Sequence, residues 1–276
     1  MLWTETLFGV KKPIIAMLHL DPLPGDPRFH HGDSIETVLE HARADLRALQ
    51  DGGVDGILVS NEFSLPYQRK MDYVTPAAMA YIVGALKSEF RVPFGVDCIS
   101  DGLATLELAA AVEAKFVRGT FSGVYVGDGG FYNNDFSMLM RRKAALHLDD
   151  LKLLYFLNPE SDRNLDTREL SDIAKSLIFK VRPDGMCISA SAAGQDVDDA
   201  LIAKVKESAP EMVVLCNTGC RPDTIVRKLT AGDAAVVGTY FKENGKFENE
   251  KLENVRVDVN RVRYFMDVVC NFRKTL

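Results

Sequence analysis

Short, unbroken apolar runs separated by helix-length stretches recur along the whole chain, and this alternation restricts the fold more than any other feature. The runs are Ile14-Ile15-Ala16-Met17-Leu18, Gly56-Ile57-Leu58-Val59, Val92-Pro93-Phe94-Gly95-Val96, Lys115-Phe116-Val117-Arg118, Leu151-Lys152-Leu153-Leu154-Tyr155-Phe156, Gly185-Met186-Cys187-Ile188, Met212-Val213-Val214-Leu215-Cys216 and Ala234-Ala235-Val236-Val237. A continuous rather than alternating run belongs to a parallel strand buried on both faces. Eight such strands with helices between them need cover on both sides, and closure removes their unpaired edges. The 276 residues are close to the roughly 250 of one closed α/β barrel. The pattern predicts a single α/β domain over residues 1–276, a (β/α)8 TIM barrel.

Helix signals fill the gaps. Asp33 with Glu36 three residues later reads as a capping box, and Ile35, Val38, Leu39, Ala42, Leu46 and Leu49 follow a helical period up to Gly52-Gly53. Thr75-Pro76 supplies a cap and a first-turn proline for the next helix. Further helices are expected over 102–114, 135–147, 166–180, 196–208, 222–230 and 257–272.

Composition excludes several partners. A net charge of −6 gives no general attraction to nucleic acid or an anionic membrane surface. No apolar run approaches the roughly 18 residues of a membrane span. The opening Leu2-Trp3-Thr4-Glu5 lacks the basic start of a signal peptide, so a cytoplasmic location is expected. The five cysteines are scattered, mostly within apolar runs, as befits reduced buried thiols. Cys216 and Cys220 have no histidine nearby and are not read as a zinc site.

In a barrel of this type, chemistry belongs to the carboxyl ends of the strands. Those ends carry His19 and Asp21, Asn61 and Glu62, Asp97, Arg118, Asn158 and Glu160, Ser189, Asn217 and Thr239. Glu62 stands directly after a buried strand, where an acid has few surface reasons to be. Asp97 interrupts an apolar run and so needs a partner or a ligand. Glu62, Asp97 and His19 are therefore the candidate proton carriers, although a salt bridge to Arg118 would satisfy Asp97 equally well. His19 could as readily hydrogen-bond a neighbouring loop. The same three residues could supply donors to a divalent metal, but no spacing signature accompanies them and no other cofactor is evident.

The last two strands end in small residues, Asn217-Thr218-Gly219 and Gly238-Thr239. Loops after the seventh and eighth strands of such barrels often hold a phosphate through backbone N–H groups, although glycine there is first of all a turn residue. Thr218, Gly219, Gly238 and Thr239 are the expected phosphate holders. Asp21, Asn61, Arg118, Asn158, Ser189 and Asn217 would contact the rest of the substrate.

With Ala16-Met17-Leu18-His19-Leu20-Asp21-Pro22-Leu23-Pro24-Gly25, Gly52-Gly53-Val54-Asp55-Gly56, Asn61-Glu62-Phe63, Phe116-Val117-Arg118-Gly119, Asn217-Thr218-Gly219 and Val237-Gly238-Thr239-Tyr240-Phe241-Lys242, the chain resembles the BtpA/SgcQ family over nearly its full length. The resemblance implies a TIM barrel. It leaves activity open: the family is named for a role in photosystem I biogenesis, while other members lie among carbohydrate-metabolism genes. Relatives resemble one another in a basic residue near the end of the fifth strand, where this chain has Tyr155-Phe156-Leu157-Asn158. They share a Gly-Ser-Gly-like turn after the seventh strand, here Cys216-Asn217-Thr218-Gly219. The first departure implies an altered substrate or an inactive protein if that basic residue is catalytic in relatives.

The resulting expectation is an isomerase, epimerase or lyase acting on a small phosphorylated metabolite, a sugar phosphate or a nucleotide. The alternative is a non-catalytic assembly or regulatory factor that keeps an anion site. A homo-oligomer is compatible with either.

Overall fold

The computed structural model describes residues 2–192, 194–243 and 255–276. Eight parallel strands close into a barrel: β1 (Ile14–His19), β2 (Gly56–Ser60), β3 (Phe94–Asp97), β4 (Phe116–Gly119), β7 (Lys152–Asn158), β9 (Gly185–Ile188), β10 (Val213–Cys216) and β11 (Ala234–Val237). β1 closes the ring, pairing with β2 on one side and β11 on the other. All eight apolar runs are barrel strands, as expected of strands covered on both faces. Among the described residues no helix is long and apolar enough to cross a membrane.

The helices α2 (Ile35–Asp51), α3 (Val74–Leu86), α4 (Gly102–Val112), α5 (Phe136–Ala145), α6 (Leu170–Lys180), α7 (Asp199–Ser208), α8 (Ile225–Ala231) and α9 (Val259–Arg273) form the outer ring. Their starts differ from expectation for local reasons. Ser34, not Asp33, caps α2, its Oγ accepting from Thr37 N at 3.1 Å, while the Asp33 carboxylate accepts from His30 N. Helix α3 begins at Val74, one residue before Thr75. Helix α6 starts at Leu170, four residues later than expected, and a short strand at 162–164 precedes it.

That strand, β8 (Asp162–Asn164), belongs to a small antiparallel sheet with β5 (Val124–Gly127) and β6 (Gly130–Asn133), in the order β6-β5-β8. It joins the connections that follow β4 and β7, and so lies at the carboxyl end of the barrel. The tyrosine hydroxyl of Tyr132 donates to Ser100 O at 2.6 Å, tying the sheet to the loop after β3.

Inside the barrel, alternate residues of each strand point at the axis. Ile15, Met17, Leu58, Phe116, Leu154, Val213, Leu215, Ala234 and Val236 make an apolar filling. It is stoppered at the amino end by α1 (Trp3–Phe8), whose Phe8 meets Phe116 edge-on at 5.6 Å and whose Trp3 indole N–H donates to Asp184 O at 2.8 Å. The next inward positions toward the other end are His19, Asp97, Arg118 and Asn217, so the filling turns polar only at the carboxyl mouth.

The lysine that ends the Gly-Thr-x-x-Lys stretch serves the fold. Lys242 is buried and its Nζ lies 3.0 Å from Asp45 Oδ2 on α2, while Val257 N donates to Asp45 Oδ1 at 2.9 Å. The pair pins the turn after β11 and the chain entering α9 onto α2. Removing one member of a buried pair leaves an uncompensated charge, at a cost of about 3–5 kcal/mol. Lys242→Met is accordingly expected to lower unfolding stability by about 3 kcal/mol in urea melts, and the double change with Asp45→Leu to recover more than half of it. A single-variant loss too small to measure would show that the pair is not what holds this corner.

Candidate active site

The polar mouth divides into two cavities with a shared wall. The smaller, about 70 Å3, lies under the turns after β10 and β11 and is lined by Asn217, Thr218, Gly219, Arg221, Gly238 and Thr239 together with His19. The larger, about 430 Å3, lies beneath the antiparallel sheet. Glu62, Arg118 and Glu160 line both.

Arg118 is the centre of the wall. Its Nε and a terminal nitrogen both approach Asp97 Oδ2 at 2.9 Å, another terminal nitrogen donates to Asn217 Oδ1 at 3.0 Å, and its plane lies 4.9 Å from the Phe156 ring. Asn217 in turn donates to Ser189 Oγ at 3.0 Å. Asp97, expected as a proton carrier, is thus the partner of Arg118. Burial pushes its carboxyl up and Arg118 pulls it back down. The salt bridge that the sequence allowed is the contact the geometry has.

Glu62 is placed differently. Its carboxylate keeps 21% of its surface open, toward the cavities, and Oε2 lies 3.7 Å from His19 Nε2. Burial first, then the neighbouring Glu160, push its pKa to about 7, against the pull of Arg118. His19 is driven well below its ordinary value by burial, with Lys242 and Arg118 adding repulsion, so its ring is neutral at neutral pH. Glu160 is also raised, chiefly by burial, and its Oε2 accepts no hydrogen bond from the described residues. Glu62 can therefore exchange a proton near neutral pH, and Glu160 faces the same cavities with its carboxyl shifted upward.

The glycines of the two turns make room for protein neighbours as well as for the recess. Gly219 has φ 69°, and a Cβ there would lie 2.1 Å from Gln195 O. At Gly238 a Cβ would press on His19 Cε1 at 2.9 Å. The Thr218 hydroxyl accepts from Ala190 N at 2.8 Å, while Thr239 and the exposed Arg221 border the recess.

Of the other predicted contact residues, Asp21, Asn61, Asn158 and Ser189 line neither cavity. Asp21 is taken by His41 Nδ1 at 2.6 Å and by Arg256. Asn61 Oδ1 accepts from Ile99 N at 2.9 Å. Asn158 bonds the Ser189 backbone in both directions, at the irregular step where β7 meets β9. These are braces between loops, since a buried amide or carboxylate beside a polar backbone is satisfied there. Sequence reasoning placed Glu160 at the end of the fifth strand without giving it a role of its own and did not single out Arg221, and it missed the hairpin over the mouth, although Gly127-Asp128-Gly129-Gly130 between two β-rich runs is a hairpin signal.

Among the described residues no three His, Cys, Asp or Glu side chains come together as a metal-binding group. Cys216 and Cys220 lie with sulfurs 3.4 Å apart, and this contact and burial hold Cys220 well above the ordinary thiol range.

A family model described as the BtpA family matches residues 10–271. Over 274 residues the chain is 40% identical to SgcQ, the sgc region protein of Escherichia coli (strain K12), covering 99% of this chain and 100% of that one. It is 29% identical over 253 residues to the photosystem I biogenesis protein BtpA of Synechocystis sp., covering 91% and 87%. Among solved structures, phosphoribosyl anthranilate isomerase from Thermus thermophilus is similar with a TM-score of 0.54 over 94% of this chain and 98% of that one, at 9% identity. A likeness at that identity is one of fold.

The raised Glu62 carboxyl has a consequence for stability. A carboxyl that titrates near 7 when folded and near 4.5 when unfolded binds its proton more tightly in the native state. Its protonation therefore supports the fold at low pH, and that support is lost as pH rises from about 4.5 through about 7. Glu62→Gln, which keeps the shape and cannot ionise, is expected to be more stable than the parent by about 3 kcal/mol at pH 8 and by well under ~1 kcal/mol at pH 4.5. Denaturant melts across this range decide it, and an equal difference at both ends would remove the titration from Glu62.

Proposed function

The chain belongs to the BtpA family, and from that premise we propose that it is an enzyme catalysing proton transfer on a small phosphorylated metabolite, by an isomerase, epimerase or lyase step. The observation that carries this reading is the Glu62 carboxyl, held near neutral pKa beside a recess of anion size. The phosphate would sit in the recess against the turns at 218–219 and 238–239, with Arg221 at its edge. Glycine and small residues let an anion reach backbone N–H groups there.

The reacting carbon would then lie at the shared wall. Glu62 removes a proton from a carbon next to a carbonyl, and the electron pair moves onto the carbonyl oxygen. The Arg118 guanidinium keeps terminal N–H groups beyond those given to Asp97 and Asn217, and one of these can donate to that oxygen. Glu160, the second open carboxyl, returns a proton to complete an isomerisation. Neutral His19 beside Glu62 adds no charge, and so leaves the base free to cycle.

The name of the Synechocystis relative supports the rival reading, a non-catalytic assembly factor that retains the anion recess. Turnover separates the two. Inorganic phosphate and ribose 5-phosphate are expected to raise the melting temperature of the parent, and Arg221→Ala or Thr239→Val to diminish that shift. Incubation of a panel of sugar phosphates in D2O should introduce carbon-bound deuterium into at least one of them. Glu62→Gln and Glu160→Gln should each lower the rate of that exchange about 100-fold or more. Ligand-induced stabilisation without any exchange across the panel would favour the assembly factor, and absence of both effects would sink the phosphate reading altogether.

A further inference from the structure

The larger cavity is not needed to hold a phosphate or to move a proton, yet at about 430 Å3 it falls within the roughly 300–1,000 Å3 of small-molecule sites. Most of its open surface is apolar, although charged and hydroxyl side chains also border it. Leu65, Pro66 and Tyr67 come from the loop after β2, Ile99 from the loop after β3, and Phe156 and Pro159 from the end of β7. Both guanidinium groups that reach it are already engaged. Arg118 is balanced by Asp97, while Arg69 lies 3.6 Å from Asp162 and stacks 4.1 Å from the Tyr132 ring. The cavity is therefore poorly suited to a second phosphate or carboxylate.

A hydroxyl-rich sugar ring fits it no better. Each hydroxyl moved from water against Leu65, Ile99 or Phe156 would lose hydrogen bonds that these side chains do not replace. A flat, largely apolar group loses little there and gains contact with the Phe156 ring. Ser100, Thr120, Asp128, Ser161 and Asp162 supply hydrogen-bonding groups in the lining, enough to meet the polar edge of a heterocycle. Because Glu62, Arg118 and Glu160 line both cavities, one ligand can place its phosphate in the recess, its sugar at the carboxyl groups and a ring in the larger space.

We propose that the larger cavity receives an aromatic heterocycle borne on the same phosphorylated sugar, so that the ligand is of the nucleoside monophosphate class rather than a bare sugar phosphate. This rests on the phosphate reading above for one end of the ligand only; the cavity's preference for a flat apolar group stands on its own lining.

Calorimetric titration of the full chain with adenosine 5′-monophosphate, uridine 5′-monophosphate, adenosine, ribose 5-phosphate and inorganic phosphate tests it. At least one nucleotide is expected to bind about tenfold or more tightly than ribose 5-phosphate, in keeping with the strength of base–aromatic stacking. Phe156→Leu keeps the wall apolar and removes its flat face, and is expected to erase most of that tenfold advantage; Ile99→Ala, on another wall, should erase part of it. The parent's ratio needs no variant and stands if either substitution impairs folding. Nucleotides and ribose 5-phosphate binding equally would overturn the inference and leave the phosphate reading intact. Binding of adenosine with no gain from its 5′-phosphate would support the ring site and remove the phosphate from the recess. No binding by any of the five would overturn both.

Discussion

One buried guanidinium among three carboxyl groups dominates the electrostatics of the barrel's mouth. Arg118 lies inside the mouth, where charges are costly to leave unbalanced, and Asp97 neutralises it through two contacts to one oxygen. Glu62 and Glu160 then stand beside a cation that has already been answered. Neither can ionise as easily as in water, which is why both are shifted upward. Burial does most of this, the Glu160 charge adds to it at Glu62, and Arg118 works against it at both. The apolar filling below contributes to the same end, because Met17, Phe116 and Leu154 deny the carboxyl groups solvent from beneath.

The barrel was legible because its strands are buried on both faces and so spell continuous apolar words. The inward positions at the mouth were legible for the same reason: His19, Asp97, Arg118 and Asn217 are polar where the preceding inward residue is not. Other parts depended on partners remote in sequence. Nothing near Asp21 reveals that Arg256 lies against it, or that Lys242 is spent on Asp45. Glu160 sits in a polar stretch where an acid is unremarkable until the fold turns it inward. Helix α1 is only six residues long, too short for a period to show. The hairpin did leave a trace in its glycine-rich turn, although its strands are too short to stand out beside the apolar barrel runs.

The Gly-Thr-x-x-Lys stretch that contributes to the family resemblance combines two kinds of work. Gly238 and Thr239 border the recess, while Lys242, three residues beyond Thr239, is buried against α2. The turn that would face a ligand is therefore anchored by a charge pair on its far side. Asn217 has a comparable double attachment, to Arg118 on one side and Ser189 on the other. Such cross-links hold the turns after β10 and β11 in register with the carboxyl groups, the fixed geometry that the proposed proton transfer would need.

The small sheet over the mouth is built entirely from the connections after β4 and β7, and none of its three strands pairs with a barrel strand. It reaches the larger cavity through Asp128, Gly129 and Asp162, whereas the recess is bordered by turns from the opposite part of the ring. Roof and recess are consequently built from different connections of the ring. If the larger cavity takes a ring as proposed, an insertion of another shape after β4 would reshape the roof over that ring and leave Glu62 and Arg118 on their own strands and turns.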